Sequence, residues 1–204
     1  MKKFIYIFLL IFSFSYCEYI GVDITQYNRN IDWAALSQNV DFVMLCCLNL
    51  YGDYNKQFEN SYVNAKNYGI QVGALWSSSV NKKEDAAREA KYCLEFIKEK
   101  QFEYPIFFSS LFDFGELLDT FCTVLEKAGY YCGLYVDHYS LSHFDKNILS
   151  KYTVWVSRDT FEEPSVPHSI WQTSLKKYPG IDGIVDISNT DFGTFMKENH
   201  LNGF

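Results

Sequence analysis

The sequence predicts an α/β barrel, and three observations predict it. Five apolar runs of strand length alternate with segments of helical periodicity between residues 19 and 150. Three more short strand-like runs follow with little helix between them. No linker, low-complexity segment or internal repeat breaks the series, so residues 18–204 form one domain. Five strand–helix units and three further strands are enough to close an eight-stranded barrel.

The elements follow in order. Tyr19–Thr25 is a short apolar strand ending in a carboxylate, Asp23, and a helix opens near Asp32 with Trp33 to Leu36. An acid at the C-terminal end of a barrel strand lies on the face where such folds build active sites, although Asp23 can equally cap a turn or pair with a cation. Asp41–Cys47 is continuously apolar, as a strand buried on both faces requires. Phe58–Tyr68 is helical and stops at Gly69; Ile70–Trp76 is the third strand. From Lys82 to Lys100, Ala86, Ala90, Cys93, Leu94 and Ile97 recur at helical spacing, with Glu84 and Arg88 on the wet side. Pro105–Phe108 is the fourth strand, a helix runs from about Asp113 to Ala128, and Tyr130–Val136 is the fifth strand. A weaker helix covers Ser140–Ser150. The last strands are Tyr152–Ser157, Ser169–Thr173 and Gly183–Ile187, and a final helix spans Asp191–Glu198.

Composition narrows the function. With 48% hydrophobic residues the chain supports one ordinary core, and its net charge of −7 lacks the basic footprint that nucleic acid or an anionic membrane surface needs. Met1-Lys-Lys followed by the apolar run Phe4–Phe12 and by Ser15-Tyr16-Cys17 has the three parts of a secretory signal peptide over residues 1–17. That run is too short to span a bilayer, which takes ~20 apolar residues. The expectation is a secreted product, or one delivered to a lumen such as a phagosome or granule. Five cysteines remain after Cys17: Cys46, Cys47, Cys93, Cys122 and Cys132. Five cannot all pair within one chain, Cys46 and Cys47 point to opposite faces of one strand, and the connectivity stays open. No Cys or His spacing marks a metal site. No cofactor is expected, the protein is expected to be a monomer, and His138, His143, His168 and His200 read as surface or loop residues.

One family becomes recognisable in an ordered set of blocks. Gly21-Val-Asp-Ile-Thr-Gln-Tyr27 with Ile31-Asp-Trp33 resembles the opening of the glycoside hydrolase family 25 lysozymes. The resemblance continues through Phe58–Gly69, Val72–Trp76, Ala128–Tyr135, Trp155-Val-Ser157, Ile170-Trp-Gln172 and Gly183-Ile-Val-Asp186. It implies an irregular (β/α)5(β)3 barrel, in agreement with the strand count. It also implies N-acetylmuramidase activity, cleavage of the β-1,4 bond between N-acetylmuramic acid and N-acetylglucosamine in peptidoglycan. Asp23 and Asp186 match the acids that the family carries in its first and last blocks. Tyr27, Trp76, Tyr135 and Trp171 are the expected sugar-contacting aromatics, each with core packing as the alternative; for Trp155 packing is the expectation.

The central pair of the family, an Asp-x-Glu ending the fourth strand, is missing. Ser109-Ser110-Leu111 stands in its place. Asp113 and Glu116 lie nearby, but Asp113-x-x-Glu116 reads as a capping box at the start of the next helix. Cys46 stands where the family has a basic residue, and Arg158-Asp159 where it has an aromatic one. Glycoside hydrolysis needs two carboxyl groups in separate roles, and a serine hydroxyl cannot supply the leaving-group proton. The reading is therefore a secreted lysozyme-like protein that binds peptidoglycan or a related glycan with little or no hydrolysis. Two alternatives stand beside it: a muramidase working through Asp23 and Asp186, and a scaffold that binds no sugar.

Overall fold

The first strand, β1 (Tyr19–Ile24), lies between two neighbours of opposite sense. On one side it pairs in parallel with β2 (Phe42–Cys46); on the other it pairs antiparallel with β8 (Ile181–Thr190). Between them β3 (Gln71–Ser78), β4 (Ile106–Ser110), β5 (Cys132–Asp137), β6 (Thr153–Ser157) and β7 (Ile170–Tyr178) complete a closed eight-stranded barrel in sequence order. The computed structural model describes residues 18–48, 52–110, 115–157 and 164–190. The expected signal peptide, the expected helix over 191–198, and Leu111, Asp113, Arg158 and Asp159 lie outside the described residues.

Helices α1 (Trp33–Leu36), α2 (Phe58–Asn67), α3 (Lys83–Phe96), α4 (Glu116–Lys127) and α5 (Lys146–Lys151) follow the first five strands. Asp32 caps α1, its carboxylate accepting from the Ala35 N–H at 3.0 Å. Gly69, at φ 71°, turns the chain out of α2 in a left-handed conformation that a side chain would resist. On α3, Ala86, Ala90 and Cys93 are the buried stripe, as their spacing predicts.

Two details differ from the sequence reading, and a third falls outside the described residues. Asp113, and with it the expected capping box, is not among them, and behind Gly115 helix α4 begins with Glu116. Its carboxylate pairs with Lys83 of α3. The single helix expected over 140–150 is two pieces, a 3-10 turn at Ser140–His143 and then α5. The break comes at Phe144 and Asp145, which are extended, and Asp145 caps the new helix by accepting from the Asn147 N–H at 2.7 Å. The last two strands are longer than predicted because they form an antiparallel hairpin beyond the barrel wall. There Leu175-Lys-Lys carries no buried-strand pattern, and ladder pairing with β8 holds the strand.

Alternation divides the strands into an inner and an outer face. Phe42, Met44, Leu75, Tyr104, Phe107, Trp155 and Ile170 fill the barrel interior, with Tyr19, Cys46 and Tyr135 packed against them. Two glycines make room for the large rings. A Cβ at Gly21 would lie 2.1 Å from the Phe42 ring, and one at Gly133 would lie 2.7 Å from Phe107. Phe42 stacks on Tyr104 at 4.4 Å, and Trp155 meets Phe107 edge-on at 5.3 Å. The outer face packs against the helices in a second cluster including Val22, Val43, Trp76, Phe108, Phe121 and Leu125. Cys122 and Cys132 form a disulfide between α4 and β5, with Cα atoms 5.3 Å apart; Cys46, Cys47 and Cys93 are free. Among the described residues no helix is long and apolar enough to cross a membrane.

Candidate functional site

Strands β1 to β7 run parallel, so their C-terminal ends open on one face of the barrel, above the apolar plug. The inward positions there are polar. The register Val22↔Ile187 continues one step to set Asp23 opposite Asp186, both on the inner face of adjacent strands. The sequence-predicted pair is thus brought together. Asp23 is 6% exposed and Asp186 half-buried.

A chain of polar contacts fixes Asp23. The Gln172 side-chain N–H donates to Asp23 Oδ2 at 2.6 Å, and the Tyr135 hydroxyl donates to Gln172 Oε1 at 3.1 Å. Tyr135 also has a side-chain hydrogen bond with Ser157. Asp23 Oδ1 is buried and has no hydrogen-bond partner in the structure. Burial pushes the Asp23 carboxyl well above the usual carboxylate range; the charge of Asp186 adds to this, and the Gln172 N–H opposes it. The same burial, with Asp23 and Asp186 beyond it, raises the Cys46 thiol. Tyr135 is raised as well, by burial first and then by Asp23. These are the conditions of two carboxyl groups sharing one region, where one keeps its proton while the other ionises.

On the opposite wall the described residues at the end of β4 include no acid. Ser109, half-buried, is the inward residue at the end of β4, paired in register with Ser77 of β3. Ser110 faces outward and donates to the Val80 carbonyl at 3.3 Å. Glu116 is drawn to Lys83, and the charge that Asp23 feels is that of Asp186. No group of three or more His, Cys, Asp or Glu able to hold a metal occurs among the described residues.

The aromatic candidates separate into three kinds. Tyr27 is 62% exposed just past β1 and lines a cavity of about 670 Å³ with Gln26, Arg29, Asp53, Tyr54 and Lys56. Tyr135 reaches the mouth from inside through Gln172. Trp76 and Trp171 need correction as cleft residues. Trp76 points outward, is 2% exposed, donates to Glu89 of α3 at 2.9 Å and packs against Phe96 and Phe121. Trp171 lies between Ile170 and Gln172, both of which face inward, so alternation turns it out of the barrel. Trp155 is a core residue, as expected, and donates to Ser188 Oγ at 3.1 Å.

The sequence reading missed two residues. Gln172 sits inside the block that singled out Trp171, and the period of two already put it on the side of Asp23. Tyr54 is 49% exposed beside Tyr27, with one ring face stacked on Phe96 at 4.8 Å. It lies in a loop where no periodicity could announce it.

No family model and no curated protein sequence matches the chain. Solved structures do. The CTP1L endolysin superposes with a TM-score of 0.77 at 19% identity, covering 89% of this chain and 70% of that one. GHIP, a glycosyl hydrolase 25 of Streptococcus pneumoniae, gives 0.76 at 16% identity, covering 90% and 92%. The fold is that of the glycoside hydrolase family 25 lysozymes. The modular autolysin LytC of Streptococcus pneumoniae, solved with a synthetic peptidoglycan ligand, gives 0.74 at 22% identity. That match covers 84% of this chain, which spans 46% of LytC. On this lysozyme fold the open end of the barrel holds Asp23, Asp186 and Gln172, and Ser109 faces them.

Proposed function

We propose that this protein is a secreted, lysozyme-like peptidoglycan-binding protein whose hydrolytic activity is severely reduced. The observation that carries the reading is the one-sided placement of the carboxyl groups among the described residues. Asp23 and Asp186 stand side by side on adjacent strands, and the end of β4 offers the hydroxyl of Ser109. Glycoside hydrolysis needs carboxyl groups flanking the scissile bond, one protonating the leaving oxygen and the other acting at the sugar. General acid catalysis contributes about 10²–10⁴-fold, and a serine hydroxyl does not supply it at neutral pH.

Binding needs less. Asp23 is held at the mouth of the barrel with one oxygen left without a partner, and Tyr27 and Tyr54 offer exposed rings on a cavity just past β1. The peptidoglycan ligand of LytC, on the same fold, supports a glycan as the class of partner. The signal-like stretch over residues 1–17 supports delivery outside the cytosol, to the medium or to a phagosome or granule.

A second reading is favoured by the raised Asp23 carboxyl. A protonated Asp23 beside an ionised Asp186 is an acid–base pair, sufficient for slow hydrolysis of the bond between N-acetylmuramic acid and N-acetylglucosamine. One pair of measurements separates the two. Purified protein is mixed with bacterial walls, and both turbidity and retention on insoluble peptidoglycan are followed. Retention without clearing is expected. Clearing abolished by Asp23→Asn establishes the slow enzyme, and neither retention nor clearing sinks both readings.

A further inference from the structure

A second cavity lies outside the barrel wall, on the far side of β5 and β6 from Asp23. It measures about 690 Å³, within the range of small-molecule sites. Leu141, Phe144, Leu149, Val166 and Pro167 make it apolar. Strand alternation brings His138 to it: Tyr135 and Asp137 face the barrel, and His138 turns the other way. The His138 backbone N–H donates to the Ser157 carbonyl at 2.9 Å, which anchors the residue. Its ring Nδ1 is buried and has no hydrogen-bond partner, an arrangement that a folded chain normally avoids.

Among the described residues the polar part of the lining is small and carries one sign of charge. Lys146 is on the wall, with the hydroxyls of Ser142, Ser150 and Ser165. Lys146 enters none of the ion pairs among the described residues, and no carboxylate among them lines the cavity. In a chain of net charge −7, an apolar cavity with an uncommitted ammonium and three hydroxyls on its wall selects for an anionic head on a hydrocarbon body.

We propose that this cavity binds a medium-chain carboxylate, its alkyl chain among Leu141, Phe144, Leu149 and Val166 and its carboxylate at Lys146 with the neighbouring serine hydroxyls. The site is independent of the glycan cleft, from which the β5–β6 wall separates it. Octanoate, octanol and butyrate are titrated into the purified protein by calorimetry. Octanoate is expected to bind one-to-one and to lose about 10-fold or more in Lys146→Gln. Each CH₂ removed costs about fourfold, so butyrate is expected to bind about two hundredfold more weakly. Octanol is expected to bind more weakly than octanoate in the wild type and equally in Lys146→Gln. Leu149→Trp, which fills the cavity, abolishes binding, and Asp23→Asn leaves it unchanged. No saturable octanoate binding overturns the proposal. So does octanol binding as tightly as octanoate with Lys146→Gln silent, or octanoate lost in Asp23→Asn. Retention on peptidoglycan, unaffected by Lys146→Gln, reports separately on the cleft.

Discussion

Asparagine at position 23 isolates the cost of the buried carboxyl. Asp23→Asn keeps the side-chain size and the oxygen that accepts from Gln172, and it removes the titrating proton. In the folded protein that proton is held well above its ordinary value of 3.8, by burial first and by Asp186 second. Above about pH 4 the unfolded chain has released the proton and the folded chain has not. The stability tied to this group is therefore complete below that pH and is lost as pH rises toward the folded value. One proton gives a slope of about 1.4 kcal/mol per pH unit. For a domain of this size that is about 3–6 °C of Tm per unit. Other groups titrate in the same window, so the quantity to read is the difference between the two proteins. Thermal unfolding followed upward from about pH 4.5 is expected to show Asp23→Asn gaining on the wild type by that slope until Asp23 ionises in the fold. Parallel Tm curves would mean that Asp23 ionises at its ordinary value in the fold, and the protonated floor of the cleft would be refuted.

Four further outcomes are expected. Trp76→Phe leaves the Glu89 carboxylate without its indole donor and costs about 1–3 kcal/mol in denaturant unfolding, with retention on peptidoglycan unchanged. Tyr135→Phe removes the hydroxyl that orients Gln172, costing about 0.5–1.5 kcal/mol and weakening retention several-fold, as sedimentation with insoluble walls would show. Cys122→Ser opens a loop closed across a sequence separation of 10 residues and costs about 2–3 kcal/mol, a Tm loss of about 5–10 °C by calorimetry. Ser109→Asp combined with Leu111→Glu returns carboxyl groups to the end of β4. Wall clearing is expected to rise by about 10²-fold or more, and an unchanged turbidity trace would mean that the deficit lies elsewhere.

What was legible in the sequence is what alternation and helical spacing encode. Strands buried on both faces appear as continuous apolar runs, so Asp41–Cys47 and Ile70–Trp76 were placed within a residue or two of β2 and β3. The hairpin was not, because its outer half is held by ladder bonds at exposed positions such as Leu175, Lys176, Lys177 and Ile184, and ladder bonds leave no hydropathy signal. Asp23 and Asp186 were paired from barrel closure alone, since the first and last strands must meet. Trp76 and Trp171 failed for one shared reason. An indole in a block that resembles a lysozyme is not thereby on the inner face, and counting by twos from Asp23's side of the wall would have chosen Leu75 and Gln172. The capping box rests on Asp113, outside the described residues, and α4 is described from Glu116 behind Gly115 at φ 111°.

The energetics of the cleft separate a binding site from a bare scaffold. Ser109 and Cys46 are cheap residues to place on the inner face of a barrel: neither carries a charge, and burial holds the Cys46 thiol protonated. Asp23 is the reverse. Its burial is destabilising at neutral pH, Oδ1 has no partner, and Gln172 and Tyr135 serve to hold it. A barrel that had become a mere scaffold would gain stability from an uncharged residue at position 23, because the apolar plug from Phe42 to Ile170 below does not depend on it. On the proposed reading, a costly carboxyl supported by neighbours is the arrangement of a site that grips a polar ligand, and Ser109 at the end of β4 supplies it no proton. The gain in stability of Asp23→Asn and its loss of glycan retention are therefore two readings of one group, and finding the first without the second would leave the scaffold as the better description.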